Sequence, residues 1–306
     1  HEFSMTMGNA LEPWGYAFES ADNDAVISGS VNLINYEAVF WNLGDESTAD
    51  ETFNNVEQNF VKIYLQQGGN LFISGSEIAW DLDNLGSTTD RDFIRNYLKV
   101  SYDQDDAGSY VVHGQENTVF ENLVLNYDNG NYGVYEENYP DAFATTGGGA
   151  MALRYENNLT AAVYFNGVAP GGSQPANVFI MGFPFETIYD DWQKISLAGM
   201  VLSNFGFNVQ LTGQEPITPI QFSLLRNYPN PFNNSTTFQF TIPSSGNVKI
   251  NVYNLVGQVV ASPLNEIRGP GLNTIYFSGN SLTSGMYIYA IKWEDRTAQS
   301  KFLLVK

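Results

Sequence analysis

The feature that most limits the possible folds of this chain is a strand–helix–strand pattern near its start. Residues 38–44 and 70–75 are two mostly apolar runs, each ending in glycine. Between them, Asp50 to Gln67 carries apolar residues at helical spacing, and Gly68-Gly69 ends that helix. Strands joined by a helix lie parallel in one sheet, with a right-handed crossover. The pattern therefore predicts a βαβ unit.

Similar patterns continue to about residue 205. They predict helices over 90–98 and 195–205 and a buried strand over 178–182. Residues 105–175 are rich in Gly, Asn and Tyr, and we interpret them as β-hairpins inserted at one edge of the sheet. The fold class predicted for the first part is α/β, with an open, mainly parallel sheet.

The pattern changes at a proline-containing segment, 214–221, which we interpret as an extended linker. After it, about seven short alternating runs predict a small antiparallel β-sandwich over residues 222–306. The charge changes at nearly the same point. The net charge of −20 divides into −24 for residues 1–220 and +4 for residues 221–306. We therefore expect two domains, 1–213 and 222–306, joined by the linker.

Composition excludes several classes of function. The chain has no cysteine, which excludes thiol nucleophiles, zinc–thiolate sites, iron–sulfur clusters and disulfides. It has only two histidines, His1 and His113, which is too few for a histidine-rich metal site. An acidic chain is poorly suited to nucleic acid, and no apolar run approaches the ~20 residues of a membrane span. No signal-peptide pattern starts the chain, so we expect a mature fragment.

Four motifs follow one another in the second part. They are Asn227–Asn233 (NYPNPFN), Val252–Val260 (VYNLVGQVV), Leu282–Tyr289 (LTSGMYIY) and Lys301–Lys306 (KFLLVK). Together they resemble the C-terminal sorting domain of bacterial type IX secretion substrates, over residues 222–306. One departure is Asn234, where that family usually has proline. The resemblance implies export across the outer membrane, recognition by the type IX secretion machinery, often later removal of the domain, and an extracellular or cell-surface location. The alternative is a sandwich that serves only as an accessory domain.

Three segments of the first part also carry a resemblance: 41–48, 68–82 and 181–188. They resemble a domain of large secreted hydrolases labelled xanthan lyase or cell-wall amidase, over residues 16–210. That domain is similar to the class I glutamine amidotransferase fold, which is flavodoxin-like. The usual first strand of the family is missing from residues 1–15, so we expect the chain to be the C-terminal part of a larger precursor.

An amidotransferase uses a cysteine, so the absence of cysteine excludes that activity. A serine version would use Ser76 as nucleophile and His113 as base, with Glu77 beside them. A nucleophile elbow needs small residues two positions before and after the nucleophile, and Ile78 fits that need poorly. The alternative is that Ser76 or Glu77 accepts hydrogen bonds from the N–H groups of the next turn.

Further polar residues follow the predicted strands, where open α/β sheets bind ligands. The candidate ligand-binding residues there are Glu46, Ser47, Asp81 and Glu186, with Glu77 beside them. Paired carboxylates in such a place suit general acid–base chemistry, as in glycoside hydrolysis. The alternative, which we favour, is a polar network that ties the loops together.

We expect no cofactor. Calcium is the most plausible ion for the acidic loops, with Asp81, Asp83, Asp103 and Asp105 as candidate ligands. The chain contains no EF-hand spacing, and we favour the alternative that these loops are only solvated. Tyr132 and Tyr135 lie in a Gly/Asn-rich loop, where tyrosines stack on sugar rings or pack a hairpin.

These patterns favour a secreted, non-catalytic accessory or binding module of a larger protein that acts on polysaccharide or cell wall. The alternatives are an extracellular hydrolase, using Ser76 or the strand-end carboxylates, and a carbohydrate-binding module with a row of exposed tyrosines. The expected partners are the type IX machinery and a polysaccharide or cell-wall glycan.

Overall fold

The computed structural model describes residues 2–46, 51–131, 134–209, 222–242, 246–268 and 271–306. The chain forms two compact units, His1–Gly213 (unit 1) and Gln214–Lys306 (unit 2). The predicted linker 214–221 lies outside the described residues, as do Ser47 and Tyr132.

Unit 1 combines helices with one large sheet. Its described α-helices are α1 (Glu2–Leu11), α2 (Asn23–Ile27), α3 (Asn55–Gln66), α4 (Thr88–Phe93) and α5 (Asp191–Asn204). Its strands are β1 (Val39–Gly44), β2 (Asn70–Gly75), β3 (Val100–Gln104), β4 (Val111–Gly114), β5 (Val124–Asn126), β6 (Ala142–Thr145), β7 (Ala150–Tyr155), β8 (Thr160–Val168) and β9 (Pro175–Met181). The sheet order is β1-β2-β9-β8-β7-β4-β5, and β6 pairs with both β3 and β8.

The predicted βαβ unit is confirmed. β1 and β2 are parallel, with Val39 opposite Leu71, and α3 connects them. The side chain of Asn54 caps α3, and Glu57 completes the capping box by accepting from the Asn54 N–H. β9 continues the parallel part on the other side of β2.

The prediction of a mainly parallel sheet is wrong, because the sheet is mixed. Only the β1–β2 and β2–β9 pairs are parallel among the described strands, and the other six pairings are antiparallel. The cause lies in residues 100–168, which contain no helix among the described residues. Parallel strands need a long crossover, so strands joined by short loops pair antiparallel instead. The hairpins extend the sheet from the β9 side, at one edge, as predicted.

The sheet of unit 1 is covered on both faces. Phe72 and Phe179 belong to a core shared with α5, to which Leu197 contributes. Leu71 and Ile73, the neighbours of Phe72, belong to a second core on the opposite face, shared with α3 and α4. Alternate residues of a strand point to opposite faces, so β2 is buried on both sides.

Unit 2 consists of strands in its described part. They are β10 (Ser223–Tyr228), β11 (Ser235–Ile242), β12 (Gly246–Tyr253), β13 (Val259–Arg268), β14 (Gly271–Ser278), β15 (Gly285–Trp293) and β16 (Arg296–Leu304). They form the antiparallel sheets β10-β11-β14 and β13-β12-β15-β16, which confirms the antiparallel prediction. Both sheets contribute to one core, in which Phe238 stacks on Tyr289 at 4.2 Å between ring centroids. This is the packing of a β-sandwich.

None of the helices in the described part of either unit has both the length and the apolar character that crossing a membrane requires.

Candidate functional site

The parallel strands of unit 1 bring polar side chains to one edge of the sheet. Asp45 follows β1, Ser76 follows β2, and Glu186 lies just after β9. Ser76 Oγ donates to Asp45 Oδ1 at 3.3 Å. The loop before β6 adds Tyr135, whose hydroxyl donates to Glu186 Oε1 at 2.7 Å. We call these residues, together with Glu137 of the same loop, the strand-end cluster.

Two carboxyl groups of the strand-end cluster lie in a poorly solvated place. Glu137 is 0% exposed and Glu186 is 4% exposed. Glu137 Oε1 accepts from the Tyr139 N–H at 2.9 Å. Glu137 Oε2 and Glu186 Oε2 have no hydrogen-bond partner among the described residues.

Burial and charge repulsion both favour the neutral form of Glu137. Burial is the larger cause, the charges of Asp45 and Glu186 add to it, and the pKa of Glu137 rises to about 7. Burial likewise raises the pKa of Glu186 and, with the nearby charge of Glu186, that of Tyr135. A carboxyl group that titrates near neutrality suits proton transfer, although structural networks also perturb pKa values.

Asp141 is a further buried acid near this edge. It is 0% exposed, and its Oδ2 accepts from the Ala79 N–H at 2.7 Å. Its Oδ1 has no partner in the part of the chain that the structure describes. Burial raises the pKa of Asp141 well above its usual value, and the charge of Glu77 adds to this. Asp141 therefore accepts from the first turn that follows β2.

The sharp turn after β2 centres on Glu77 rather than Ser76. Glu77 has φ of 53°, a left-handed value that is uncommon outside glycine. A strand leads into Glu77 and a helical turn leaves it, which is the geometry of a nucleophile elbow. The small residues two positions before and after it are Gly75 and Ala79. The sequence already shows this spacing around Glu77, whereas the expected elbow was placed at Ser76.

The structure does not bring Ser76 and His113 together. Ser76 is 0% exposed and follows β2, whereas His113 lies on β4. Strands β9, β8 and β7 lie between β2 and β4, and neighbouring strands are about 4.8 Å apart. A serine–histidine pair across this distance cannot transfer a proton directly.

Two of the four candidate calcium ligands, Asp81 and Asp83, bind other protein groups. Asp81 Oδ2 accepts from Thr52 Oγ1 at 2.8 Å. Asp83 pairs with Arg95 at 2.5 Å. Asp103 is exposed, and Asp105 Oδ1 is buried without a partner among the described residues. No group of three or more acidic or histidine side chains in the described part is placed to hold a metal ion.

The remaining candidates, and the other tyrosines near them, differ in how far they are buried. Glu46 follows β1 and is half-buried, and it is the last residue described before residue 51. Tyr127 is buried and stacks on Phe183 at 4.6 Å. Tyr135 is half-buried and bound to Glu186, whereas Tyr139 is 52% exposed. The described tyrosines of this loop therefore do not form an exposed row.

A further opening of unit 1 is lined in part by β1, and its lining contains no residue of the strand-end cluster. It is a cleft of about 810 Å³, within the usual size range of ligand sites. Its lining includes residues 38–42 of the strand region and the segment 16–23 opposite. Sequence reasoning gave no signal for this cleft, because its walls come from segments far apart in the chain.

In unit 2, the four motifs meet. The second contacts the third through β12 and β15, where Val252 pairs with Tyr289 and Tyr253 with Ile288. Asn230 Oδ1 accepts from the Leu303 N–H at 2.9 Å, and the Phe232 N–H donates to the Leu303 carbonyl at 3.0 Å. Lys306 Nζ donates to the carbonyls of Asn280 and Leu282, at 2.8 and 2.6 Å. The C-terminal residues are therefore hydrogen-bonded to the first motif and to residues at the start of the third. The second motif also contains a turn whose Val256 is 79% exposed.

Residues 226–306 match the family described as the secretion system C-terminal sorting domain. The resemblance of this region to type IX sorting domains is thereby confirmed. Such a domain implies export by type IX secretion, and the protein is secreted or displayed at the cell surface. No curated protein matches the chain.

Two solved structures show slight similarity. One is PorZ, an essential bacterial surface component of the type-IX secretion system of Porphyromonas gingivalis, at 13% identity and TM-score 0.20, covering 28% of this chain and 12% of that one. The other is the endo-beta-1,4-mannanase from Thermotoga petrophila, at 12% identity and TM-score 0.19, covering 53% and 30%. The chain thus matches less than a third of either structure, and neither similarity assigns a fold or a function.

Proposed function

We propose that unit 1 is a non-catalytic accessory or binding module of a larger extracellular protein that acts on polysaccharide or cell wall. The strand-end cluster carries this proposal. Its side chains Ser76, Glu137 and Glu186 are at most 4% exposed, and they contact protein groups rather than an opening. The enclosure of Glu137 and Glu186 argues against direct contact with a glycan, although Asp45 of the same cluster is exposed.

The amidotransferase-like ancestry of unit 1 is part of the same proposal. The parallel strands β1, β2 and β9 and the elbow at Glu77 support it. The elbow holds a glutamate where an amidotransferase needs cysteine, which accounts for a fold of that kind without its activity.

One experiment on the purified chain distinguishes a binding role from a catalytic role. It is incubated with insoluble cell-wall material and insoluble polysaccharides, and both the bound protein and the released reducing ends are measured. We expect retention on a glycan without release of sugar. Absence of retention on every glycan tested contradicts the binding role, and release of sugar contradicts the non-catalytic one.

Export is tested separately in a bacterium that carries type IX secretion. The full chain, fused behind a signal peptide, is compared with a chain that ends at residue 213. We expect only the full chain to reach the surface or the medium, measured by protease accessibility and immunoblotting. A matched control replaces the exposed Ile267 by Ser and leaves the motifs intact. Equal export of the shortened chain contradicts the role of unit 2.

One observation favours a second function, hydrolysis by the strand-end carboxyl groups. Glu137 has a pKa of about 7, and both Glu137 and Glu186 keep one carboxyl oxygen without a partner among the described residues. A general acid needs such a raised pKa. If the chain releases sugar, Glu137→Gln removes that activity and the exposed Glu116→Gln preserves it. Equal activity in both variants excludes this assignment.

A further inference from the structure

β1 is an edge strand among the described residues of unit 1. β1 pairs with β2 on one side, and it ends the strand order of the sheet. No strand in the described residues pairs with its other side. An edge strand presents a row of N–H and C=O groups, which form a template for another extended chain.

Residues 38–42, which belong to β1 and the residue before it, line the cleft of about 810 Å³. The rest of its lining includes side chains from the cores on both faces of the sheet. One wall is apolar through side chains of the α5 core, including Met7, Leu11 and Leu202. The other wall belongs to the α3 core and includes Val26 and Leu33. A strand placed beside β1 would bury side chains on both of its own faces, as an interior strand does.

The negative charge of the cleft lining favours extended chains that carry positive charge. Glu19, Asp22 and Glu37 line the cleft, and no Lys, Arg or His is among its lining residues. Basic residues at the ends of the bound chain therefore complement the rim, which favours encounter and orientation.

We propose that the outer edge of β1 binds an extended peptide segment with apolar side chains on both faces and basic residues at its ends. The segment adds to the sheet as a further strand, by β-strand addition. Main-chain hydrogen bonds to β1 hold it, and the two apolar walls select its side chains. This interaction is independent of export by unit 2 and of any glycan bound by unit 1.

The test uses the full chain and the peptide acetyl-Lys-Val-Thr-Val-Ile-Val-Lys-amide, with amide hydrogen exchange as the readout. At a peptide concentration about ten times Kd, we expect the outward-facing amides of Val39–Asn42 to exchange about tenfold more slowly. Successive N–H groups of a strand point to opposite sides. Two further peptides are therefore made, one N-methylated at the odd-numbered residues and the other at the even-numbered residues, to test whether binding uses main-chain hydrogen bonds to β1. One should bind and the other should not. Equal binding by both, or no protection by the parent peptide, overturns the proposal.

Charge reversal supplies the matched protein variants. Glu37 is exposed at the rim of the cleft, and Glu116 is exposed but not part of its lining. We expect Glu37→Lys to weaken binding of the peptide and Glu116→Lys to leave it unchanged. Protection of the same amides by soluble oligosaccharides instead of the peptide, or by self-association at high protein concentration, also overturns the proposal.

Discussion

Replacing Glu137 by glutamine should change how the stability of unit 1 depends on pH. In the folded protein, burial raises the pKa of this carboxyl group from an ordinary 4.5 to about 7. The folded state therefore holds a proton there that the unfolded state has already lost. Such a group contributes stability that is fully present below its unfolded pKa and is lost as pH rises through its folded pKa.

The magnitude follows from the difference between the two pKa values. A difference of about 2.5, at 1.36 kcal/mol for each pKa unit, corresponds to roughly 3 kcal/mol lost between about pH 4.5 and about pH 7. Glutamine does not ionise in this range. Its Oε1 keeps the acceptor role toward the Tyr139 N–H, and its amide can donate toward Asp45 or Glu186. Glu137→Gln should therefore be close to the wild type near pH 4.5 and more stable by up to about 3 kcal/mol near pH 8.

The assay is urea unfolding of the full chain at a series of pH values, followed by tryptophan fluorescence. Trp14, Trp41, Trp80 and Trp192 lie in unit 1, and only Trp293 lies in unit 2, so the signal reports mainly on unit 1. Glu186 and Asp141 also have raised pKa values. The quantity of interest is therefore the difference in free energy of unfolding between variant and wild type.

The exposed Glu116→Gln makes the same chemical change and serves as the control. We expect its difference from the wild type to be small at every pH. If the Glu137→Gln difference is equally independent of pH, the folded protein does not hold a proton on Glu137 near neutrality. The description of the strand-end cluster as a poorly solvated place would then be wrong.

Three further substitutions test other parts of the structure. Asp83→Ala removes a buried acceptor of Arg95 and of the Tyr102 N–H, and should lower the free energy of unfolding of unit 1 by about 2 kcal/mol, whereas the exposed Asp103→Ala should not. Phe238→Ala opens a cavity in the unit 2 core and should cost about 3–5 kcal/mol in calorimetry or urea unfolding; a cost under about 1 kcal/mol contradicts the packing described. Gly182→Ala places a Cβ 2.4 Å from the Asp141 carbonyl oxygen, so its melting temperature should fall, and an unchanged value refutes that close contact.

Local patterns predicted the regular elements well. The apolar runs at 38–44 and 70–75, the helical spacing between them and Gly68-Gly69 led to a βαβ unit that the structure contains. These features depend on residues near one another in the chain, and their periodicity is set by the geometry of helices and strands. The four motifs of residues 222–306 also identified a sorting domain without any knowledge of its contacts.

Pairing partners could not be predicted in the same way. The sequence indicated strands between residues 100 and 168, but the direction in which β8 pairs with β9 depends on the whole sheet. Nothing in the local sequence around Glu137 marks it as part of a site. Its pKa is raised first by burial and then by the charges of Asp45 and Glu186, which follow β1 and β9.

The sequence by itself determined the division into two modules, the parallel β1–β2 pair, the antiparallel sandwich and the export role of the C-terminal region. Each of these features follows from a periodicity or a short motif that lies within one local segment of the chain. Only the tertiary structure decided that the sheet is mixed, that Ser76 and His113 lie apart, that the elbow is at Glu77, and that, among the described residues, β1 is an edge strand that lines a cleft. These properties depend on which strands become neighbours, and burial and charge at a point are sums over residues distant in the chain.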